Sequence, residues 1–237
     1  SLSELRADLA ALGQPLVVRV GDAVSVFEEL CSALPIGRLW SHEETGNNWS
    51  FQRDLRVKAW CRSKGLEWRE LQPAGVIRRL RQRDGWARRW NQFMARPQDQ
   101  APEGLERLPI EVGAIPTADE LGLLPDPCPG RQLGGRREGL GLLESFLTER
   151  GAPYRRAMSS PVLGAVHCSR LSPHLAWGTL SMKEVSQTAT LRARALKPLK
   201  TRDGWKGSVS SFRARLHWRD HFMQKLEDQP AVEHQNF

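Results

Sequence analysis

Residues 168–178 read CSRLSPHLAWG, and the helical second half of the chain is best understood from this stretch. Ser172 followed by Pro173 is typical of a helix start, because a serine oxygen caps free backbone N–H groups and proline is tolerated in the first turn. Ser169 and Arg170 lie just before it and add a hydroxyl and a guanidinium. Free N–H groups, a helix dipole and an arginine together suit a phosphate. The stretch therefore predicts a phosphate cradle, with an ordinary capped helix and a surface arginine as the alternative.

Helical patterns flank the cradle on both sides. From Arg136 the apolar residues recur at helical spacing, and Gly151 follows as a stop signal. Ser181 and Glu184 are spaced as a capping box, which predicts a new helix there. Residues 208–228 predict a last long helix. This half of the chain is therefore expected to be all-helical.

Three residues of that last helix share one face. Arg215, Trp218 and Arg219 lie three and four positions apart, so they are neighbours on the helix surface. A tryptophan beside arginines can stack on a base and hold a phosphate. A buried tryptophan flanked by solvated arginines fits the spacing equally well. His217 and His221 are also one turn apart, but we expect no metal site because no third ligand has recognisable spacing.

The first half alternates short apolar runs with helical patterns. A helix over residues 1–12 ends at Gly13, and Asp22 and Ser50 are candidate caps of the next two helices. This alternation predicts a parallel, doubly wound α/β sheet. No G-x-G-x-x-G follows a strand, so a nicotinamide dinucleotide site has no support here. The predicted strands are Leu16–Val20, Ile36–Trp40 and Leu66–Leu71.

The middle of the chain is basic and then rich in proline. Residues 78–96 carry many arginines with tryptophans between them, which suits either a nucleic-acid surface or an amphipathic helix with a solvated basic face. We prefer the amphipathic helix, because charge runs usually lie in water. Residues 97–129 hold seven of the fifteen prolines, a density that excludes long helices and central strands. This segment is therefore expected to connect two domains.

Composition narrows the class of protein. A net charge of +8 and a pI near 9.8 favour an anionic partner, although a merely basic enzyme fits the charge as well. The four cysteines are widely spaced without any C-x-x-C, so we expect reduced thiols in a cytoplasmic protein. No apolar run approaches the roughly 20 residues of a membrane span. We therefore expect no membrane association.

Several ordered motifs together resemble the flavin-binding helical domain of the DNA photolyase and cryptochrome family. They are Tyr154, residues 168–172, residues 175–181 and residues 212–228. The first half resembles the family's α/β antenna domain, through residues 2–30, 42–46 and 52–54. The resemblance implies a partial antenna-type domain over residues 1–95, a linker over 96–134 and the first part of the helical FAD-binding domain over 135–237. It also implies an internal fragment of a longer protein, which we expect to bind flavin weakly or not at all by itself.

The resemblance further implies light-driven DNA repair. The cofactor would be FAD, whose excited reduced form passes an electron to a pyrimidine dimer flipped out of UV-damaged DNA. A second antenna chromophore is also possible in the family. Arg215 and Trp218 would face the DNA lesion. The residues implied to hold FAD are Tyr154, Cys168, Ser169, Arg170, Leu171, Ser172, Phe212 and Arg219.

Two positions depart from the family pattern. Cys168 stands where the cradle usually begins with threonine, which removes a hydroxyl but keeps the backbone N–H. Arg215 stands where the well-known bacterial dimer photolyases have glutamate, and arginine can only donate hydrogen bonds. A lyase remains the leading hypothesis. A cryptochrome-like photoreceptor without repair activity is the alternative on the same fold, and a flavin-free basic nucleic-acid-binding module is a third.

Overall fold

A parallel pair of strands joined by a helix organises the first third of the chain. In the computed structural model, which describes residues 1–236, β1 is Arg38–His42 and β2 is Glu67–Leu71. They pair in parallel, with Arg38 opposite Glu67 and His42 opposite Leu71. The connecting helix α3 is Asn48–Ser63. This β–α–β unit agrees with the predicted α/β class, because parallel neighbours require such a crossover.

Local capping sets the starts of the early helices. α1 is Leu2–Ala11, and α2 is Ala23–Ala33, whose cap Asp22 accepts a hydrogen bond from the Val24 N–H at 3.0 Å. The prediction of Ser50 as the cap of α3 is wrong. Asn47 caps that helix and accepts from the Ser50 N–H at 3.1 Å, so the helix begins three residues earlier than expected.

The predicted strand Leu16–Val20 is also wrong. Residues 15–20 form no strand in the structure. The Val18 N–H instead donates to the carbonyl oxygen of Val112 at 2.7 Å. A β-branched run becomes a strand only when another strand lies beside it. Here the partner is the irregular segment that includes Gly113, whose φ of 70° is a left-handed conformation.

The basic segment of residues 78–96 is helical only in its second part. Helix α4 is Trp86–Met94, and Gly85 precedes it with φ 74°. The helix expected over residues 78–96 therefore begins eight residues later than predicted, at Trp86. Residues 96–134 contain neither a helix nor a strand, which agrees with their proline content. The division into domains at residues 95 and 134 stays a prediction.

The second half is helical, as the sequence predicts. Ser181 caps α9 by accepting from the Glu184 N–H at 3.0 Å. Gly151 lies directly after a π-helical turn that extends α5. The elements are α5 Arg136–Ser145, the π turn Phe146–Arg150, α6 Tyr154–Ala157, α7 Leu163–His167, α8 Ser172–Ala176, α9 Met182–Leu196, α10 Trp205–Asp228 and a 3₁₀ turn Pro230–Glu233. No helix within residues 1–236 is long and apolar enough to cross a bilayer.

Two apolar clusters form the core. The smaller one joins α2, α3 and the strands around Val57, Trp60 and Cys61. The larger one lies in the helical half, and α4 belongs to it through Trp90 and Phe93. The amphipathic interpretation of this basic segment therefore holds for α4, which buries its aromatic face against the helical half.

Candidate functional site

The predicted cradle is a tight loop in front of a short helix. Arg170 adopts φ 62°, a left-handed conformation, and α8 then begins at Ser172. The predicted capping role of Ser172 is wrong, since Ser172 is the first residue of the helix and Leu171 occupies the cap position without a side-chain bond. Ser169 takes part of the expected role, with its Oγ 3.5 Å from the Leu171 N–H.

Backbone donors of the loop remain available for a ligand. Within residues 1–236, no backbone hydrogen bond engages the N–H groups of Ser169, Arg170 and Ser172. The Arg170 side chain is exposed beside them. Gln132 fixes the loop from outside by donating to the Arg170 carbonyl oxygen at 2.9 Å. Free N–H groups next to a guanidinium and two serine hydroxyls suit a diphosphate.

Arg150 holds the cradle loop in place, and the sequence analysis missed it. Its guanidinium donates to the carbonyl oxygens of Cys168 and of Ser169, the latter at 2.9 Å. It also reaches Val166 O at 3.1 Å and Leu142 O at 3.0 Å. Burial lowers the pKa of this guanidinium. No local signal marks Arg150, because four of its acceptors are backbone oxygens and three of these lie far along the chain.

An aromatic wall lies beside the loop. Phe146, Tyr154 and Phe212 are all buried, and their ring centroids lie 4.7 to 6.2 Å apart in edge-to-face pairs. Burial raises the pKa of the Tyr154 phenol, and nearby Cys168 adds to the rise. The structure thus brings Tyr154, Phe212 and the cradle into one region. Phe212 is only 3% exposed and belongs to the core, so its role in lining a flavin pocket stays a prediction.

The expected nucleic-acid face of α10 is exposed. Trp218 is 51% and Phe222 is 57% exposed, with ring centroids 6.0 Å apart. The Arg215 guanidinium lies 5.0 Å from the Trp218 ring centroid. This geometry excludes the alternative in which Trp218 is a buried packing residue. An exposed aromatic pair with a stacked guanidinium is a surface on which a base can stack.

Arg219 connects this face to the cradle helix. Its guanidinium donates to the carbonyl oxygen of Leu175, in α8, at 3.3 Å. It also donates to Asp220 Oδ1 at 3.1 Å. Arg219 is therefore oriented by a carboxylate on its own helix and reaches the element that follows the cradle.

Asp220 is fully buried and was not identified from the sequence. Its Oδ2 accepts from the Gly75 N–H and from the Trp90 indole N–H, each at 2.8 Å. Burial raises the pKa of this carboxyl, while the hydrogen bonds that it accepts lower the pKa. One turn on, Gln224 Oε1 accepts from the Ile77 N–H at 2.7 Å. These two side chains fasten residues 72–77 to α10.

The two histidines of α10 have other partners than a metal. His217 packs against Trp86 and Trp90, with ring centroids 4.8 Å away in each case. His221 Nδ1 lies 3.0 Å from the Arg83 guanidinium. The guanidinium can only donate hydrogen bonds, so His221 Nδ1 is the acceptor and that nitrogen is not free to bind a metal. The part of the chain that the structure describes holds no cluster of three or more candidate metal ligands.

Comparison with known proteins agrees with this architecture. A family model described as DNA photolyase matches residues 1–82. A deoxyribodipyrimidine photo-lyase of Halobacterium salinarum is 27% identical over 253 residues, covering all of this chain and 51% of that protein. The blue-light photoreceptor PHR2 of Arabidopsis thaliana is 26% identical, and the match covers 94% of this chain and 55% of that protein.

A solved structure covers the chain as well. The bacterial class III photolyase of Agrobacterium tumefaciens superposes with a TM-score of 0.73 at 20% identity, over 100% of this chain and 50% of that one. The fold and the sequence matches show that the chain is similar to proteins of the photolyase and cryptochrome family. The chain spans about half the length of the curated relatives it matches.

Proposed function

We propose that this chain is part of an FAD-dependent, blue-light-driven lyase that repairs UV-induced pyrimidine dimers. The observation that carries the proposal is the exposed Arg215–Trp218 pair, which lies next to Arg219 on the helix that contacts α8. A lesion surface and a phosphate cradle are thereby connected through one helix. We assign the protein to the cytoplasm, where its four cysteines would stay reduced.

The chain supplies one part of the cofactor's surroundings. The N–H groups of Ser169 and Arg170 and the hydroxyl of Ser172 would hold the diphosphate of FAD, and Arg150 would keep that loop in shape. When bound and reduced, the flavin would supply an electron to the dimer after absorbing blue light. Tyr154 and Phe212 would exclude water from one side of the nucleotide.

The α10 face would receive the lesion. Trp218 would stack on a base that has left the duplex, which costs less for a damaged base than for an intact one. Arg215 would donate to a phosphate or to a base carbonyl. It cannot take up a proton, so it would act by binding and charge only.

A second function has an observation in its favour. Arg215 occupies a position where the bacterial dimer photolyases that the sequence resembles have glutamate, and one relative is named a blue-light photoreceptor. A photoreceptor on the same fold would keep flavin binding without dimer splitting. The two functions differ in whether blue light causes the loss of pyrimidine dimers from DNA.

The test is a repair assay with the protein expressed from its full reading frame. The protein would be reduced anaerobically, mixed with dimer-containing DNA and illuminated with blue light, with a dark sample as reference. Light-dependent loss of dimers supports the lyase. No loss with flavin bound overturns it in favour of the photoreceptor.

Variants connect the result to the proposed face. Trp218→Ala should lower dimer affinity by about tenfold, because one base–aromatic stack contributes roughly 1–3 kcal/mol. Trp49→Ala is the matched control, since Trp49 is 72% exposed on α3 and lies outside the proposed site. An equal loss in both variants would contradict the assignment of Trp218.

A further inference from the structure

A basic groove runs along α9 and α10 on a different side from the Arg215–Trp218 face. It consists of three adjoining cavities of about 460, 410 and 740 Å³. The first two share Arg194 and Arg213, and the second and third share Lys206. The groove therefore continues from the end of α4, across α9, to the loop before α10.

The groove carries a net positive charge. Its exposed arginines include Arg96, Arg155, Arg194, Arg202 and Arg213. In residues 1–236, none of these guanidinium groups takes part in an ion pair or a hydrogen bond. Asp203 is the single carboxylate among the groove's described lining residues. Elsewhere arginines such as Arg38 and Arg136 are paired with glutamates at 2.6 and 2.7 Å.

Helix geometry separates this groove from the proposed lesion face. Each residue of an α-helix turns by about 100°, so Lys206 and Arg213 lie within about 20° of each other around α10. Trp218 and Phe222 lie roughly 140° and 180° from Arg213 around the same axis. One ligand bound to the exposed Trp218 side therefore leaves the groove free.

We propose that this groove binds a lesion-free strand of nucleic acid through its phosphates. The arginine fork matches phosphate oxygens in a bidentate manner, and five such forks are free for binding. The first cavity also exposes the apolar side chain of Leu191, at 62%, against which a base can pack. An acidic protein would satisfy the charge but would not use that side chain in the same way.

The experiment measures binding of a labelled, undamaged single-stranded oligonucleotide in the dark by fluorescence anisotropy over a range of salt. Arg194→Ala/Arg213→Ala should weaken binding roughly 25-fold at 0.1 M salt and lower the salt slope by about 1.4, because each phosphate contact to a single strand contributes about 0.7. Arg62→Ala/Arg88→Ala removes the same charge from exposed residues of α3 and α4 outside the groove.

Three results would overturn the proposal. They are unchanged binding by the groove variant, an equal loss in the control variant, and displacement of the oligonucleotide by polyglutamate in preference to unlabelled strand, which would indicate an acidic protein instead. Arg194→Gln/Arg213→Gln and a thermal melt check that folding is preserved. The assay uses neither light, flavin nor lesion, so its failure is distinguishable from failure of the proposed repair function.

Discussion

The carboxylate of Asp220 accepts a hydrogen bond from the Trp90 indole across 130 residues of sequence, with Oδ2 2.8 Å from Nε1. The same oxygen accepts from the Gly75 N–H, and the other oxygen accepts from Arg219. One buried group therefore fastens α4 and residues 72–77 to α10 and also orients Arg219. The connection between the two halves of the chain is thus built into the helix that carries the proposed lesion face.

Removing the Asp220 carboxylate should lower the stability of the fold. Asp220→Ala leaves the Trp90 and Gly75 N–H groups buried without an acceptor, and we expect the free energy of unfolding to fall by about 3 kcal/mol. Asp220→Asn keeps one acceptor oxygen and should lose less. Chemical denaturation followed by tryptophan fluorescence measures both. The control is Asp119→Ala on the exposed linker, and a similar loss there would contradict the explanation.

The close approach of Trp90 and Asp220 to the backbone requires a glycine at position 75. A methyl group added at Gly75 would overlap the Trp90 ring and lie 2.9 Å from Asp220 Oδ2. Gly75→Ala should therefore lower the free energy of unfolding by about 2 kcal/mol through overpacking. Gly37→Ala is the matched control, because nothing lies within 4 Å of its added methyl. Equal melting temperatures for the two variants would show that Trp90 moves aside freely.

Local signals predicted much of the fold. The caps Asp22 and Ser181 were recognisable because a cap bonds to residues two or three positions away. The run Leu16–Val20 was misjudged because strand formation depends on a distant neighbour, and the neighbour here is Val112 in the linker. Ser50 was misplaced because Asn47 caps α3 three residues earlier, whereas α8 begins at Ser172 itself behind a leucine that provides no side-chain cap.

The shared helix face of the candidate site was predictable from the sequence, and the residues that support the site were not. Helical spacing predicts that Trp218 and Arg215 share a face, and the structure leaves Trp218 exposed. Their role at a DNA lesion stays a prediction. Arg150 and Asp220 were missed because their partners are backbone groups or side chains of other elements. Such contacts depend on tertiary packing, and a single sequence carries no spacing rule for them.

Arg150 should determine the order of the cradle loop. Arg150→Ala leaves the carbonyl oxygens of Cys168 and Ser169 without their donor, and we expect a loss of about 3 kcal/mol in the free energy of unfolding. Hydrogen exchange should accelerate most at the end of α7, where the Cys168 N–H donates to the Gly164 carbonyl oxygen at 3.1 Å. Arg150→Lys keeps the charge but not the forked guanidinium, so its loss of unfolding free energy should lie between those of the parent and Arg150→Ala. Arg170→Ala, an exposed change in the same loop, should leave exchange there nearly unchanged.

His217 should make stability depend on pH. Burial lowers its pKa below the usual 6.5, and the nearby His221 lowers it further. The unfolded chain then binds a proton more readily than the folded one, so the contribution of His217 is complete above pH 6.5 and is lost as pH falls through the lowered pKa. His217→Gln should flatten the fall in unfolding free energy as the pH drops below 6.5. His234→Gln, a change at an exposed histidine, is the control, and a steeper fall in His217→Gln than in the parent would refute the assigned direction.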